Sequence, residues 1–162
     1  MMRSDIAELN DPGIVVKKGE RRLELYDGDE FIKAFTIVLG SAPDGDKNVE
    51  GDGRTPVGDF YIFTKNPESK FHLSLGISYP DGRAAERGLG SGLIDEAEYD
   101  AIRQAIAERS MPPQRSRLGG EIYIHGGGTK CDWTDGCIAL ADQDIEELFN
   151  AVRVGSPVTI TA

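Results

Sequence analysis

The pattern that most restricts this chain is a series of short runs in which apolar and polar residues alternate, each closed by glycine, proline or aspartate. Leu23 and Leu25 alternate with Arg22 and Glu24. Phe71, Leu73, Leu75 and Ile77 alternate with His72, Ser74 and Ser78, with Gly76 between them. A period of two is the signature of a half-buried strand. Ile14–Val16, Phe31 to Leu39, Phe60–Phe63, Glu121 to His125 and Val158 to Ile160 read as further strands, and Asp27-Gly28 as a hairpin turn. Only two stretches carry helical spacing. Residues 95 to 109 place Ala97, Ile102, Ala105 and Ile106 on one side, with Asp95 and Glu96 at the start and Arg109 at the end, before Met111-Pro112-Pro113. Residues 142 to 152 offer Asp142 as an N-cap and Ile145, Leu148, Phe149 and Val152 as an apolar stripe. With 20 glycines and 8 prolines in 162 residues, the chain suits a loop-rich, mainly β domain.

The length is that of one domain, large enough to bury a core without metal or disulfide staples. A polar lead-in over residues 1–12 precedes a single expected domain over 13–162, with no internal repeat. The net charge of −10 is dispersed along the chain and reads as a solvated acidic surface. It excludes a nucleic-acid partner, which requires a surplus of Lys and Arg. No stretch reaches the length of a membrane span, and Met1 to Asn10 lacks the apolar core of a signal peptide. The two cysteines, Cys131 and Cys137, share one glycine-rich segment and do not make a disulfide framework. Six positions apart, they are within reach of each other, but free thiols are the expectation. Oligomeric state is not readable.

The chemistry concentrates in residues 122–140, Ile-Tyr-Ile-His-Gly-Gly-Gly-Thr-Lys-Cys-Asp-Trp-Thr-Asp-Gly-Cys-Ile-Ala-Leu. A strand delivers His125 to its end, a glycine-rich loop follows, and then comes Asp135-Gly136-Cys137. Cys plus His suffices for nucleophilic catalysis, because the base moves the thiol towards thiolate. Gly136 allows a tight turn in which its N–H and that of Cys137 face a developing oxyanion. The glycines after His125 leave a carbonyl free to hold the second ring nitrogen. Duller readings stand beside this one: a lone Cys is often a buried small hydrophobe, and a lone strand-end His is usually structural. Cys131, His125, Cys137 and His72 also make four potential zinc ligands, although no C-x-x-C knuckle is present. The triple glycine is not a phosphate loop, since no Gly-Lys-Ser/Thr follows.

This stretch resembles the active-site segment of the L,D-transpeptidase catalytic-domain (YkuD-like) family. That family has a His at a strand end, a loop, then Ser/Thr-His-Gly-Cys and an apolar residue. His125, Thr134, Gly136, Cys137 and Ile138 match in turn. Gly51 to Gly58, with Thr55-Pro56-Val57-Gly58, resembles the family's Thr-Pro-x-Gly turn, and Phe71 to Pro80 resembles a segment of one sub-branch. That sub-branch carries Asp-Trp-Thr-x-Gly-Cys-Ile-Ala. The chain departs from the common pattern in two ways: Asp135 replaces a second His, and the loop between His125 and Cys137 is short.

The resemblance implies a curved β-sandwich with a few peripheral helices and a cell-envelope or periplasmic location. It implies a peptidoglycan stem peptide as substrate, with Cys137 as nucleophile and His125 as base. The Gly126 carbonyl is expected to orient the His, and the N–H groups of Gly136 and Cys137 to bind the oxyanion. His72, Thr134 and Asp135 are further candidates at the substrate cleft. Asp135 is expected to point away from the thiol and brace the turn through backbone N–H bonds. No metal or cofactor is implied. A hydrolytic relative using the same site, or a non-catalytic cell-wall-binding module, remains as an alternative.

Overall fold

A computed structural model describes residues 8–162, so residues 1–7 of the polar lead-in lie outside the described part. The strands are β1 (Pro12–Lys17), β2 (Arg22–Asp27), β3 (Glu30–Thr36), β4 (Gly58–Ser69), β5 (His72–Ile77), β6 (Tyr123–His125), β7 (Ile138–Ala139) and β8 (Pro157–Thr161). Helices α1 (Gly82–Ser91) and α2 (Glu96–Glu108) follow β5, and α3 (Asp142–Ala151) follows β7. The mainly β expectation therefore holds.

All eight strands join one sheet in the order β3-β2-β1-β8-β4-β5-β6-β7. The last strand sits at its centre. Val158 and Ile160 are buried, and β8 pairs parallel with β1 and antiparallel with β4. Leu23, Leu25, Ile62, Leu75, Ile77 and Ile124 are fully buried on the same core. Each such side chain contributes about 2 kcal/mol of transfer free energy, so the core rather than local propensity sets the register.

The sheet curls until its two edges meet. The chain just beyond β3 lies against β7: Val38 and Ala139 exchange backbone hydrogen bonds at 3.0 Å in both directions. Gly40 bridges Thr134, with Ser41 N–H donating to Thr134 O at 3.2 Å. This closure brings the long segment between β3 and β4 beside the segment between β6 and β7, and the cleft forms where they face each other.

Four elements differ from the sequence reading. The strand foreseen over Phe60–Phe63 runs on to Ser69 as half of the β4–β5 hairpin. Helix α1 was not foreseen, because Gly88 and Gly90 argue against a helix. Gly88 is there for packing: a Cβ on it would meet Leu118 Cδ2 at 2.8 Å. The two-residue β7 carries too little pattern to read. Asp142 is not an N-cap. Ala141 holds that position with no side-chain bond, and Asp142 Oδ1 instead accepts the Gly127 N–H at 2.9 Å. By contrast, Asp95 caps α2 in a reciprocal capping box with Glu98.

Candidate active site

His125 ends β6, flanked by Ser74 on β5 and Ala139 on β7. Its ring is almost fully buried. Phe71, at the tip of the β4–β5 hairpin, stacks on it with ring centroids 4.6 Å apart. Trp133 tilts against it at 5.6 Å and meets Phe71 edge-on at 5.1 Å. Nδ1 lies 2.6 Å from the Gly126 carbonyl oxygen. A carbonyl only accepts, so Nδ1 carries the proton and, in the neutral ring, Nε2 keeps its lone pair. Burial holds the His125 pKa below its usual value, against the raising effect of the Gly126 bond. The ring is therefore a neutral base near pH 7.

Cys137 lies one residue before β7 and is half-buried. Its Sγ–H donates to Glu121 O at 3.3 Å, and its sulfur accepts the Tyr123 N–H at 3.4 Å. Burial pushes the thiol pKa up to about 11. The Asp135 and Glu121 carboxylates add to this, while the Tyr123 N–H and Lys47 oppose it. At neutral pH the resting pair is thus a thiol and a neutral imidazole. Among the described residues no hydrogen bond joins Cys137 to His125. Both border the same cleft of about 580 Å³, together with Phe71, Tyr123, Trp133 and Asp135.

The turn before the nucleophile is braced by Thr134, not Asp135. Buried Thr134 Oγ1 donates to Cys137 O at 2.7 Å and accepts the Gly136 N–H at 3.2 Å. The Gly136 N–H, expected at the oxyanion, is thereby engaged elsewhere. Among the described residues nothing accepts the Cys137 N–H. Gly136 has φ of 123°, and a Cβ there would lie 2.7 Å from Arg54 O, so only glycine fits. Asp135 is exposed at the cleft edge and makes no hydrogen bond among the described residues.

His72 is not brought to the cleft. It is exposed, with φ of 77°, and Nε2 lies 2.7 Å from Glu146 on α3. The zinc grouping fails geometrically for the same reason: no three metal-ligating side chains gather among the described residues. Cys131 is an exposed free thiol on the outer side of Trp133, as free as Cys137.

Sequence reasoning missed three residues that shape the site. Phe71 was read only as part of an apolar strand face. Asp132 received no role, yet it accepts from Arg21 and from the Leu39 N–H at 2.9 Å, tying the loop to the β1–β2 turn. Thr55 Oγ1 donates to Gly136 O at 2.6 Å. The Asp-Trp-Thr and Thr-Pro-x-Gly motifs were the available signals for the last two.

A curled β-sheet presenting one cysteine and one buried, carbonyl-oriented histidine to a cleft defines a cysteine–histidine type of site. The chain belongs to the L,D-transpeptidase catalytic-domain family, YkuD, whose model matches residues 11–160. A search against curated proteins found no significant match. Among solved structures it is similar to the helical cell shape determining protein Pgp2 from Campylobacter jejuni (TM-score 0.65, 22% identity), covering 96% of this chain and 50% of that one. It is also similar to an L,D-transpeptidase from Mycobacterium smegmatis (TM-score 0.57, 12% identity; 94% of this chain, 59% of that one). A third is the L,D-transpeptidase LdtMt1 in complex with imipenem (TM-score 0.53, 14% identity; 93% of this chain, 58% of that one). The chain thus spans about half the length of the Pgp2 structure.

Proposed function

We propose that this chain is a cysteine-dependent acyltransferase acting on peptidoglycan stem peptides at the cell envelope. The observation that carries the reading is the shared cleft. It holds a nucleophile, Cys137, and a neutral base, His125, whose proton-bearing nitrogen is fixed on Gly126 O. A binding module gains nothing from keeping such a pair.

In the first half-reaction the Cys137 thiol leaves Glu121 O and gives its proton to His125 Nε2. In the same step, sulfur attacks the carbonyl of the L-centre of a meso-diaminopimelate–D-alanine bond. The tetrahedral oxyanion collapses, the C–N bond breaks, and the proton on His125 passes to the departing D-alanine amine. A thioester remains. In the second half-reaction an acceptor amine gives up a proton to His125 and takes the acyl group, restoring the thiol. Water in place of the amine gives hydrolysis at the same site.

The resting thiol pKa of about 11 does not oppose this scheme. It means that proton transfer accompanies attack instead of preceding it. Incubation with purified tetrapeptide muropeptides, followed by mass spectrometry, tests the reading. Loss of D-alanine with a cross-linked dimer supports transpeptidation, and loss with a tripeptide product supports hydrolysis. No change in any muropeptide, with a titratable Cys137 thiol, would rule the reading out.

A further inference from the structure

We propose that Thr55, buried beneath the nucleophile turn, aims the Cys137 N–H at the reacting carbonyl, leaving the site with one pre-set backbone donor instead of two. This rests on the acyl-transfer reading above. The Gly136–Cys137 peptide is planar and trans, so its C=O and N–H point in opposite directions. Thr55 is fully buried, and its Oγ1 donates to Gly136 O at 2.6 Å. The carbonyl is thereby drawn towards the segment between β3 and β4, and the N–H is turned away from it. Cys137 borders the cleft, and among the described residues nothing accepts its N–H.

Two further contacts make the arrangement firm. Thr55 cannot drift, because Lys18 Nζ donates to its carbonyl at 2.6 Å and to Gly45 O at 2.7 Å. The neighbouring donor is diverted, because Thr134 Oγ1 takes the Gly136 N–H while giving its own proton to Cys137 O. One hydroxyl thus fixes the peptide before Gly136 and another the peptide after it. Thr55 does not border the cleft, so it is a positioning residue acting through the Gly136 carbonyl.

The test compares Thr55→Val, which keeps the shape and loses the donor, with Thr55→Ser, which keeps the donor. Acylation of Cys137 by a carbapenem is followed by intact mass, kcat and KM are measured on muropeptides, and the thioester carbonyl stretch is read by infrared. Loss of one oxyanion donor slows acyl transfer by about 10²–10³-fold. A misaimed donor should cost roughly 10- to 100-fold in kcat, with KM nearly unchanged. Thr55→Ser should restore the rate, and the thioester stretch in Thr55→Val should move to higher wavenumber as its hydrogen bond weakens. Wild-type kcat in Thr55→Val, or a Thr55→Ser enzyme as slow as Thr55→Val, overturns the proposal. If Thr55→Val is too unstable to assay, Thr55→Ala at low temperature takes its place, and a wild-type rate there overturns it equally. Failure of the acyl-transfer reading looks different: the wild-type protein itself never acquires an adduct, and the proposal falls with it.

Discussion

Two glycine-rich stretches face each other across the cleft, and they are held in opposite ways. Residues 41–57 hang on buried charge. Lys18 and Lys47 are both nearly inaccessible. Lys47 pairs with Asp52 at 2.9 Å, while Asp52 also accepts the N–H groups of Asn48, Val49 and Arg54. Asp46 accepts the Val57 N–H. Residues 126–137 have few side-chain bonds of their own. They are held by backbone pairing to the first stretch, by Asp132 on Arg21, and by Trp133, whose indole N–H donates to Gly128 O at 3.0 Å. Labour is divided between the two stretches. The first stretch is an anchored wall whose charges are spent on its own backbone. The second spends Asp132 on its anchor to Arg21 and presents Cys137 to the cleft beside His125.

Removing the nucleophile should have the largest effect. Cys137→Ala should abolish muropeptide turnover and carbapenem adduct formation while leaving the melting temperature close to wild type. Cys131→Ala should retain activity, since that thiol stands outside Trp133. An inactive Cys131→Ala beside an active Cys137→Ala would reverse the assignment.

The next effect is on pH dependence. Only the thiolate alkylates, and burial keeps the Cys137 proton in place up to about 11. In a Cys131→Ala protein, which leaves Cys137 as the single cysteine, alkylation by iodoacetamide should therefore rise about ten-fold per pH unit from neutrality towards that value. Turnover should behave differently, because it uses neutral His125. Burial lowers the His125 pKa, so protonation, and with it loss of activity on acidification, should set in below about 6.5. Coincident pH profiles for alkylation and turnover would mean that a pre-formed ion pair, rather than transfer on attack, drives the reaction.

A smaller effect tests the wall. Lys18→Met keeps the length of the side chain but leaves Gly45 O and Thr55 O without their donor. The expected loss is about 2 kcal/mol, a fall in Tm of roughly 6 °C for a domain of this size. Limited proteolysis should then cut first within residues 41–57. An unchanged Tm would mean that the buried ammonium is dispensable and the wall is held elsewhere.

What the sequence made legible follows from how local each signal is. The alternation at Leu23 and Leu25 and the acidic start at Asp95 and Glu96 act within a few positions, and a strand and a helix form there as read. That His125 and Cys137 border one cleft was legible only through a motif, because a three-residue and a two-residue strand bring them there. The bonds from Lys18 to Thr55, and from Thr55 to Gly136, span 37 and 81 positions and leave no local trace. Asp142 shows how a good local signal is overridden: tertiary contact offers its carboxylate the Gly127 N–H, so it leaves the helix end uncapped.

The smallest effect concerns His72, where the alternating pattern pointed the residue away from the core and the family resemblance suggested a place at the cleft. The residue sits just after the hairpin tip Lys70-Phe71, paired with Ser69, in the left-handed region at φ 77°. That conformation folds the chain so that Phe71 lies over His125 and Phe71 O accepts the Gly126 N–H at 3.0 Å. What matters at position 72 is thus the backbone, while the imidazole reaches out to Glu146, an exposed pair worth well under about 1 kcal/mol. His72→Ala should leave kcat/KM nearly unchanged. His72→Gly, which has no Cβ to oppose a positive φ, should raise stability by about 0.5–1 kcal/mol. His72→Val should do the reverse, since a β-branched side chain resists this region most, and should loosen Phe71 from His125 enough to show as a lower kcat. A ten-fold fall in kcat/KM for His72→Ala alone would instead place the ring at the substrate and undo the separation between backbone and side-chain roles at this turn.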